Sequence, residues 1–287
     1  MNSISLFNIS GENYNQFRPK YPKKILSQIH NLDIKTKNNY LDIATGTGQL
    51  YFDIYQDYSN IICANDISEV QLNSLIKERE KEDHTNNKVN NDKRKYYYIL
   101  SDGMHLKEKI KESGCEDVKF NLITIAEAFH WFEEEKLLEY LKETLLDEDG
   151  VLFITSYYLD GITYITKDEE LNKKAGERYR KLNNAIEQYM HTKLKISLKN
   201  FYSNVNFTKF FAIQATEQFE NEDIMPLSSF LKYIGTFSFY NIYVKENPNL
   251  PDPLEIAKKE ILEDLPNETD PLIIVFHPYY CISLKNK

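Results

Sequence analysis

The pattern of residues 41–49 constrains the fold more than any other stretch of the chain. An apolar run ends at Asp42-Ile43-Ala44 and passes through the glycine loop Gly46-Thr47-Gly48 into a helical pattern. Glycines let the backbone approach a ligand closely, and a loop that opens a helix is typical of a nucleotide-type cofactor site. The next apolar run ends at Asp66, where an acid can hold ribose hydroxyls. This stretch therefore predicts a cofactor-dependent enzyme.

The spacing of the glycines argues against a dinucleotide. Tyr51 stands where the G-x-G-x-x-G pattern places its third glycine. A bulky residue there makes a close approach of the helix to a pyrophosphate less natural. Backbone amides of the loop could instead meet a ligand carboxylate.

Strand-like and helix-like patterns alternate along the first half of the chain. The predicted strands cover residues 39–44, 61–64, 96–100, 120–126 and 151–156. The predicted helices cover residues 49–58, 68–80 and 133–146, and Ser68 and Gln71 form a capping box for the second of them. This alternation predicts an α/β fold with right-handed crossovers and a mostly parallel sheet. Ligands of such sheets bind beyond the carboxyl ends of the strands.

The second half of the chain has a different pattern. It predicts a long amphipathic helix at 167–191, helices at 227–234 and 254–265, and strands at 208–218 and 272–284. We expect one domain over residues 1–287, with cap elements at about 1–30, 160–205 and 222–266. Residues 81–95 are polar and rich in Asn and Lys, which predicts a mobile, solvated insertion without a chemical role.

Composition excludes several classes of function. A chain of 287 residues with a formal charge of −9 lacks the broad basic surface that nucleic-acid binding needs. It contains no apolar run near the roughly 20 residues that span a bilayer, and its polar N-terminus lacks the layout of a secretory signal. Three scattered cysteines predict a reduced, cytoplasmic protein. The six histidines show no metal-ligand spacing, so we expect no metal site.

The residues that follow the predicted strands are the candidates for binding a cofactor. They are Asp42, Ala44, Thr45, Gly46, Gly48, Asp66, Ile67, Ser101, Asp102, Gly103, Met104, Ala126 and Glu127. Asp102 could accept a hydrogen bond from an adenine amino group, with Met104 against the ring. The plainer interpretations are an Asp-Gly turn at Asp102 and a helix cap at Asp66.

Three residues are candidates for binding and orienting the reacting group. Arg18 could pair with a substrate carboxylate in bidentate fashion, and Tyr14 lies in the same segment, which can fold across the site as a lid. His130 could face the reaction centre. The alternatives are a surface arginine and a histidine bonded only to the backbone.

Aromatic residues are the candidates for a substrate wall. Trp131 is the single tryptophan and follows the fourth predicted strand, while Tyr233 and Phe237 lie in an aromatic, hydroxyl-rich segment of the cap. Packing in the core is the plainer interpretation for all three.

The loop resembles motif I of the class I S-adenosylmethionine-dependent methyltransferases, Asp-x-Gly-x-Gly-x-Gly. This chain has Asp42-Ile43-Ala44-Thr45-Gly46-Thr47-Gly48, so Ala44 replaces the first glycine. Residues 126–132 resemble the motif that follows the fourth strand in the type 11 group. Residues 14–22, Glu127-Ala128-Phe129-His130-Trp131 and Thr236-Phe237-Ser238 are similar to the trans-aconitate methyltransferase-like branch.

The resemblance implies a Rossmann-like, mostly parallel seven-stranded sheet with a late antiparallel hairpin and a helical cap. It implies S-adenosylmethionine as cofactor, S-adenosylhomocysteine as product, Asp66 as the ribose acid and Asp102 as the adenine-facing acid. The branch implies methyl ester formation on a small carboxylic acid, and so a small-molecule acceptor.

Three other functions remain open from the sequence. One is methylation of a carbon or phenolic oxygen in a lipid-like or aromatic acceptor, for which His130 would be a candidate base. Another is a nucleotide-dependent oxidoreductase, which the glycine spacing disfavours. The last is a non-catalytic binding module that keeps the cofactor fold.

Overall fold

The computed structural model describes residues 17–86 and 92–287, without the side chains of residues 83–86, 193 and 194. Its strands are β1 Asn39–Ile43, β2 Ile61–Asp66, β3 Lys95–Leu100, β4 Phe120–Ala126, β5 Leu146–Tyr157, β6 Gly161–Tyr164, β7 Ala212–Pro226 and β8 Leu272–Lys285. Its α-helices are α1 Lys23–His30, α2 Tyr51–Ile54, α3 Glu69–Asn86, α4 Leu106–Glu112, α5 Glu134–Thr144, α6 Glu169–Glu187, α7 Thr192–Lys199, α8 Phe207–Phe210, α9 Leu227–Gly235, α10 Ser238–Glu246 and α11 Pro253–Asp264.

The described strands form one mixed sheet. Strands β1 to β5 are parallel in the order β3-β2-β1-β4-β5, which follows from the helical crossovers between them. Strand β8 runs antiparallel to β5, and β7 pairs antiparallel with β8 along its whole length. The predicted α/β fold, with its parallel sheet and late antiparallel pair, is confirmed.

The sheet has eight strands rather than the predicted seven. The additional strand is β6, which extends the edge of the sheet that β5 begins. Residues 151–157 pair with 279–285 of β8, and β6 then pairs with residues 273–276 of the same strand. Since β7 occupies the other edge of β8, β6 lies on the edge that β5 uses. Residues 158–160 interrupt this edge, and no strand was predicted immediately after them.

Alternate residues of the strands face two separate hydrophobic layers. Tyr40 and Ile62 are register neighbours on one face, while Leu41 and Cys63 face the opposite layer. All four are fully buried, as expected for parallel strands covered by helices on both faces. The sheet therefore holds β1 rigidly and fixes where the glycine loop leaves it.

Local signals explain several of the helix ends. The Ser68 hydroxyl accepts from the Gln71 backbone N–H at 3.4 Å, which confirms Ser68 as the cap of α3. The reciprocal half of the predicted capping box is not formed, because the Ser68 N–H donates to Asp66. Asp168 accepts from the N–H groups of Glu170 and Leu171 at the start of α6. The first predicted crossover helix is shorter than expected, with α2 followed by a 3-10 turn at Tyr55–Asp57. Helices α4, α7, α8 and α10 were not predicted, and none of the described helices is long and apolar enough to cross a bilayer.

The segment predicted as a mobile insertion contributes to the fold where it is described. Helix α3 continues to Asn86, beyond the predicted end. Asp92 accepts from Arg94 Nε at 2.8 Å and from the Tyr96 hydroxyl at 2.7 Å, and it pairs with Arg79 at 3.5 Å. The Arg79 guanidinium lies 4.1 Å from the centre of the Tyr96 ring. These contacts join α3 to the start of β3, which the polar composition alone did not indicate.

We expect Asp92→Asn to lower the free energy of unfolding by about 2 kcal/mol at pH 7, because it leaves two guanidinium groups without their counter-charge. The Arg94 hydrogen bond holds the pKa of Asp92 well below its ordinary value. The stabilisation is therefore present above the unfolded pKa near 4 and is lost as the pH falls toward the folded value. Urea titrations at pH 7 and pH 3 measure it, with the exposed Glu148→Gln as control. An unchanged midpoint at pH 7 would contradict this role.

Candidate active site

A cavity of about 570 Å³ opens at the carboxyl ends of the parallel strands. Residues at or after the ends of β1, β2 and β3 line one side, and residues that follow β4 line the other together with α6, α7 and the segment between α9 and α10. The first side is polar and contains the glycine loop. The second is rich in aromatic rings, so the cavity has two chemically different halves.

Asp42 anchors the glycine loop from beneath. This residue is 2% exposed, and its carboxylate accepts from the Thr45 hydroxyl at 2.7 Å and from the Thr124 hydroxyl at 2.5 Å. Since Thr124 donates to Asp42, the Tyr40 hydroxyl donates to Thr124 at 2.9 Å. Burial raises the pKa of Asp42 to about 6, with the nearby Asp66 adding to the shift and the two threonine hydroxyls opposing it.

Three residues of the loop adopt left-handed backbone conformations. Ala44, Gly46 and Gly48 have φ values of 53°, 59° and 90°. A side chain on Gly46 would lie in open space, with Gln71 Oε1 the nearest atom at 4.0 Å, and both residues line the cavity. A Cβ on Gly48 would lie 2.7 Å from the Phe52 ring. Gly46 therefore keeps the cavity open, whereas Gly48 allows the loop to pack against helix α2.

We expect Ala44→Gly to raise the free energy of unfolding by roughly 0.5–1 kcal/mol. The left-handed conformation costs an alanine roughly 1–2 kcal/mol, and the added freedom of glycine in the unfolded chain offsets part of the gain. A urea midpoint that rises without a change of slope would support this result. A fall in the midpoint would show that the strain at Ala44 is relieved elsewhere.

Asp66 joins the loop to helix α3. Its carboxylate accepts from the Gly46 N–H and from the Ser68 N–H, each at 2.8 Å. Burial raises the pKa of Asp66, while the N–H groups of Ser68, Gly46 and Ile67 oppose the shift. The Gly46 amide is thus bonded within the protein, and the expected contact of a ligand carboxylate with other amides of the loop stays a prediction. Asp66 still lines the cavity and retains lone pairs for ligand hydroxyls.

The polar half of the cavity has the features that an adenosine-type cofactor needs. Gly46 leaves room for the ligand, and the buried Thr47 hydroxyl has no hydrogen-bond partner within the described part of the chain. Asp102 lies at the edge, about half exposed, where it accepts from the Met104 N–H and contacts His105 Nδ1, both at 3.0 Å. The chemistry of these residues fits S-adenosylmethionine.

Most of the residues predicted to bind a cofactor meet at this cavity. Those that line it are Asp42, Ala44, Thr45, Gly46, Asp66, Ile67, Ser101, Asp102, Ala126 and Glu127. Gly48, Gly103 and Met104 are not among the lining residues. Gly103 has φ 85° and a Cβ there would lie 2.6 Å from the Phe132 ring, so its role is packing. Met104 packs against the hydrophobic layer that contains Leu41.

Glu127 lies immediately after β4 in a left-handed conformation, with φ 56°. Its Oε1 accepts a short hydrogen bond from the Tyr157 N–H on the neighbouring strand β5. Burial raises the pKa of Glu127 to about 8, while the Tyr157 N–H and the charge of Arg18 oppose the shift. The side chain lines the cavity, and the cofactor contact predicted for it from the sequence stays a prediction.

Arg18 reaches the same half of the cavity from the segment before α1. Its guanidinium carbon lies 5.5 Å from the centre of the Tyr233 ring and 5.0 Å from that of Phe237. Such geometry is typical of cation–π contact. Arg18 thus lines the cavity together with Tyr233 and Phe237. Tyr233 and Phe237 also pack in the hydrophobic core, so their role as a substrate wall stays a prediction. Tyr14 lies outside the described residues.

His130 and Trp131 form a 3-10 turn that begins at Phe129. His130 is 4% exposed and its Nδ1 lies 3.0 Å from the Tyr202 hydroxyl. Trp131 is 37% exposed at the rim, whereas Phe129 is fully buried. Both His130 and Trp131 line the cavity.

Sequence reasoning missed the residues that α6 and α7 contribute. Tyr179, Asn183 and Glu187 lie four residues apart on one face of α6 and line the cavity. Glu187 pairs with Lys195 at 3.3 Å and with Lys199 at 2.6 Å, which holds α7 across the mouth. The helical spacing was visible in the sequence, but nothing there showed that this face turns toward a cavity.

The residues that interrupt the sheet edge were also missed. Tyr157, Tyr158, Leu159 and Asp160 line the cavity where β5 gives way to β6. Their placement depends on the pairing with β8, which is a long-range contact without a local signal.

Comparison with known proteins finds a methyltransferase of similar sequence. No family model matches the chain. The probable S-adenosylmethionine-dependent methyltransferase CRG1 of Saccharomyces cerevisiae is 23% identical over 275 residues, which cover 89% of this chain and 88% of the relative.

Two solved structures share the fold. A type II methyltransferase candidate from Anaeromyxobacter dehalogenans has a TM-score of 0.66 at 17% identity, covering 94% of this chain and 98% of its own. A SAM-dependent methyltransferase from Thiobacillus denitrificans, in complex with S-adenosylhomocysteine, has a TM-score of 0.50 at 13% identity and 100% coverage of both chains.

These comparisons confirm three predictions made from the sequence. They are the resemblance to class I S-adenosylmethionine-dependent methyltransferases, the enzyme class and the cofactor. The similarity to the trans-aconitate methyltransferase-like branch stays a prediction.

Proposed function

We propose that the protein transfers the methyl group of S-adenosylmethionine to a carboxylate oxygen of a small organic acid. The observation that carries this proposal is the Arg18 guanidinium, which lies over two aromatic rings inside the cavity that the glycine loop lines. A planar guanidinium in an enclosed aromatic site is suited to binding a carboxylate.

The bound cofactor supplies a methyl group on a positively charged sulfur. In the proposed transfer an acceptor carboxylate oxygen would form the new bond to the methyl carbon, the carbon–sulfur bond would break with its electron pair left on sulfur, and no proton would be transferred. Because a carboxylate is already ionised at neutral pH, the chain needs no strong base for this reaction.

The residues of the chain would act by positioning and by excluding water. Arg18 would orient the acceptor, with His130 and Trp131 beside it in the same half of the cavity. Asp66 and Asp102 would hold the ribose and the base on the polar side. Two opposite charges are lost in the reaction, so the aromatic enclosure favours it over the same reaction in water.

The elements around the mouth would act as a cap on a single domain. Helices α6 and α7 and the segment between α9 and α10 lie over the cavity, within the cap ranges expected from the sequence. Movement of these elements would admit the acceptor and release the ester, so closure is a gating step. The free cysteines Cys63, Cys115 and Cys281 are all buried, which supports a reducing compartment such as the cytoplasm.

A methyl-transfer assay with labelled cofactor tests the proposal. The protein is incubated with S-adenosylmethionine carrying a labelled methyl group and with a panel of small mono-, di- and tricarboxylic acids. Methyl esters are hydrolysed by mild alkali, so volatile labelled methanol should appear after base treatment. Saturable cofactor binding without base-labile label from any acid would contradict carboxylate methylation.

The aromatic wall favours one second candidate. Tyr157, Tyr158 and Phe239 line the cavity together with Trp131 and Tyr233, and such a surface suits a phenolic or lipid-like acceptor. Aryl methyl ethers and methylated carbons resist alkali, so the same assay with phenols would yield stable label. If no acceptor of any class becomes labelled, a non-catalytic binding module is the function that remains.

A further inference from the structure

Glu127 shares the aromatic half of the cavity with Arg18, and the proposed methyl transfer gives it no role. We infer that Glu127 and Arg18 form a carboxylate-binding pair, in which Glu127 acts as the neutral acid and donates a hydrogen bond to the ligand. The ligand carboxylate belongs either to the acceptor or to the methionine part of the cofactor. The inference rests on the proposed function only for the first of these two sources.

The backbone places the Glu127 carboxyl group with one defined hydrogen bond. The left-handed conformation after β4 turns the side chain toward β5, where Oε1 accepts from the Tyr157 N–H. A left-handed glutamate costs roughly 1–2 kcal/mol and is seldom kept without a functional reason. Since Oε1 is an acceptor here, the proton of the neutral acid would be carried by Oε2 and be available for donation to a ligand.

The groups that face Glu127 come from several elements. They are Arg18 before α1, the Tyr157 N–H on β5, Tyr202 after α7, Tyr233 on α9 and Tyr279 on β8. His130 contacts the Tyr202 hydroxyl behind them. Burial raises the pKa of Tyr202, Tyr233 and Tyr279 well above the ordinary tyrosine value, so all three phenols are neutral at pH 7. Arg18 is the cation of this set.

This environment decides the charge of the pair. With its pKa raised to about 8, Glu127 is mostly protonated at neutral pH and does not cancel the charge of Arg18. A ligand carboxylate then meets one cationic donor and one neutral donor. When the pH rises above about 8, Glu127 ionises, pairs with Arg18 and repels the ligand. Binding of a carboxylate therefore requires the proton on Glu127.

The test compares the wild-type protein with Glu127→Gln across pH 6.5 to 9.5. Glutamine copies the protonated acid, because its oxygen can accept from the Tyr157 N–H and its amide group can donate to the ligand. Above pH 8 we expect wild-type binding of the carboxylate to weaken about tenfold per pH unit. In Glu127→Gln this dependence should disappear while binding at pH 7 is kept. Glu139→Gln, the same change on the exposed side of α5, should behave as the wild type.

Two arms of the experiment distinguish the sources of the carboxylate. Calorimetric titration with S-adenosylhomocysteine reports on the cofactor, and 5′-methylthioadenosine is the matched probe that lacks the amino acid part. The amino group of S-adenosylhomocysteine also titrates, but equally with the wild type and with Glu127→Gln. The difference in binding between the two proteins therefore reports on Glu127 alone. For the acceptor, KM and kcat of an active acid are measured at saturating cofactor across the same pH range. In the wild type KM should rise with pH above 8, and kcat should change much less than KM.

The outcomes separate the inference from the proposed function. If no acid is esterified, the acceptor assignment fails, but the S-adenosylhomocysteine arm still tests the pair. The inference is overturned if neither ligand shows a pH dependence that Glu127→Gln removes. It is also overturned if Glu127→Gln leaves KM unchanged but lowers kcat by orders of magnitude, because Glu127 would then be a base for a hydroxyl acceptor.

Discussion

Replacing Gly48 by alanine is expected to lower the free energy of unfolding by about 3 kcal/mol. The left-handed backbone conformation costs an alanine roughly 1–2 kcal/mol, and overpacking by the new methyl group costs roughly 1–3 kcal/mol. The added Cβ would lie 2.7 and 3.0 Å from atoms of the Phe52 ring and 3.1 Å from Leu75 Cδ1. Leu75 is fully buried, so the loop cannot move away without disturbing the contact between α2 and α3. Chemical denaturation followed by far-ultraviolet circular dichroism measures the loss.

Gly46→Ala is the matched control for this prediction. Its backbone is also left-handed, but the nearest atom to a new Cβ is Gln71 Oε1 at 4.0 Å, so only the conformational cost of about 1–2 kcal/mol remains. The new methyl group would protrude into the cavity, and we expect weaker S-adenosylhomocysteine binding in a folded protein. Equal stability of the two variants would show that contact with Phe52 does not limit the loop.

Replacing Asp66 by alanine is expected to weaken cofactor binding by about 100-fold or more. This carboxylate accepts from the Gly46 and Ser68 N–H groups, and each charge-assisted bond is worth roughly 1.5–3 kcal/mol. The change would release the loop from α3 and remove the proposed acceptor of the ribose hydroxyls. Isothermal titration with S-adenosylhomocysteine measures the effect, and circular dichroism checks that the variant is folded.

Asp102→Ala is the contrasting variant at the same cavity. Asp102 is about half exposed and bonds within its own turn, to Met104 and His105, so its contribution is screened by solvent. We expect a loss of affinity of about tenfold or less. If Asp66→Ala bound the cofactor as well as Asp102→Ala, the proposed ribose contact would be untenable.

Local signals account for the part of the fold that the sequence predicted well. Strand β4 agrees residue for residue with the prediction, because its apolar run is bounded by polar residues on both sides. The Ser68 cap and the glycine loop are likewise short-range patterns. The same patterns placed Asp66 and Asp102 at the cavity, since strand ends of a parallel sheet meet at one edge.

The errors concern residues whose position depends on distant parts of the chain. Strand β6 has only four residues and forms because β8 offers it an edge beyond β5. The surroundings of Glu127 were not predicted, because they are set by the adjacent strand β5 and by Arg18, which lies more than 100 positions away in the chain. Asp92 belongs to a polar segment, and only the packed Arg79 and Tyr96 make it structural. The periodic pattern of apolar residues along the sequence does not predict contacts of this kind.

The position of β8 has a consequence for how the protein acquires its structure. This strand follows all other described elements in the chain, yet it lies between the β5–β6 edge and β7. Parallel strands β1 to β4 can associate as they are synthesised, whereas β6 and β7 have no partner until β8 is present. Loop closure over such sequence separations is slow. The half of the sheet that carries the glycine loop can therefore form early, and the aromatic side of the cavity is completed last.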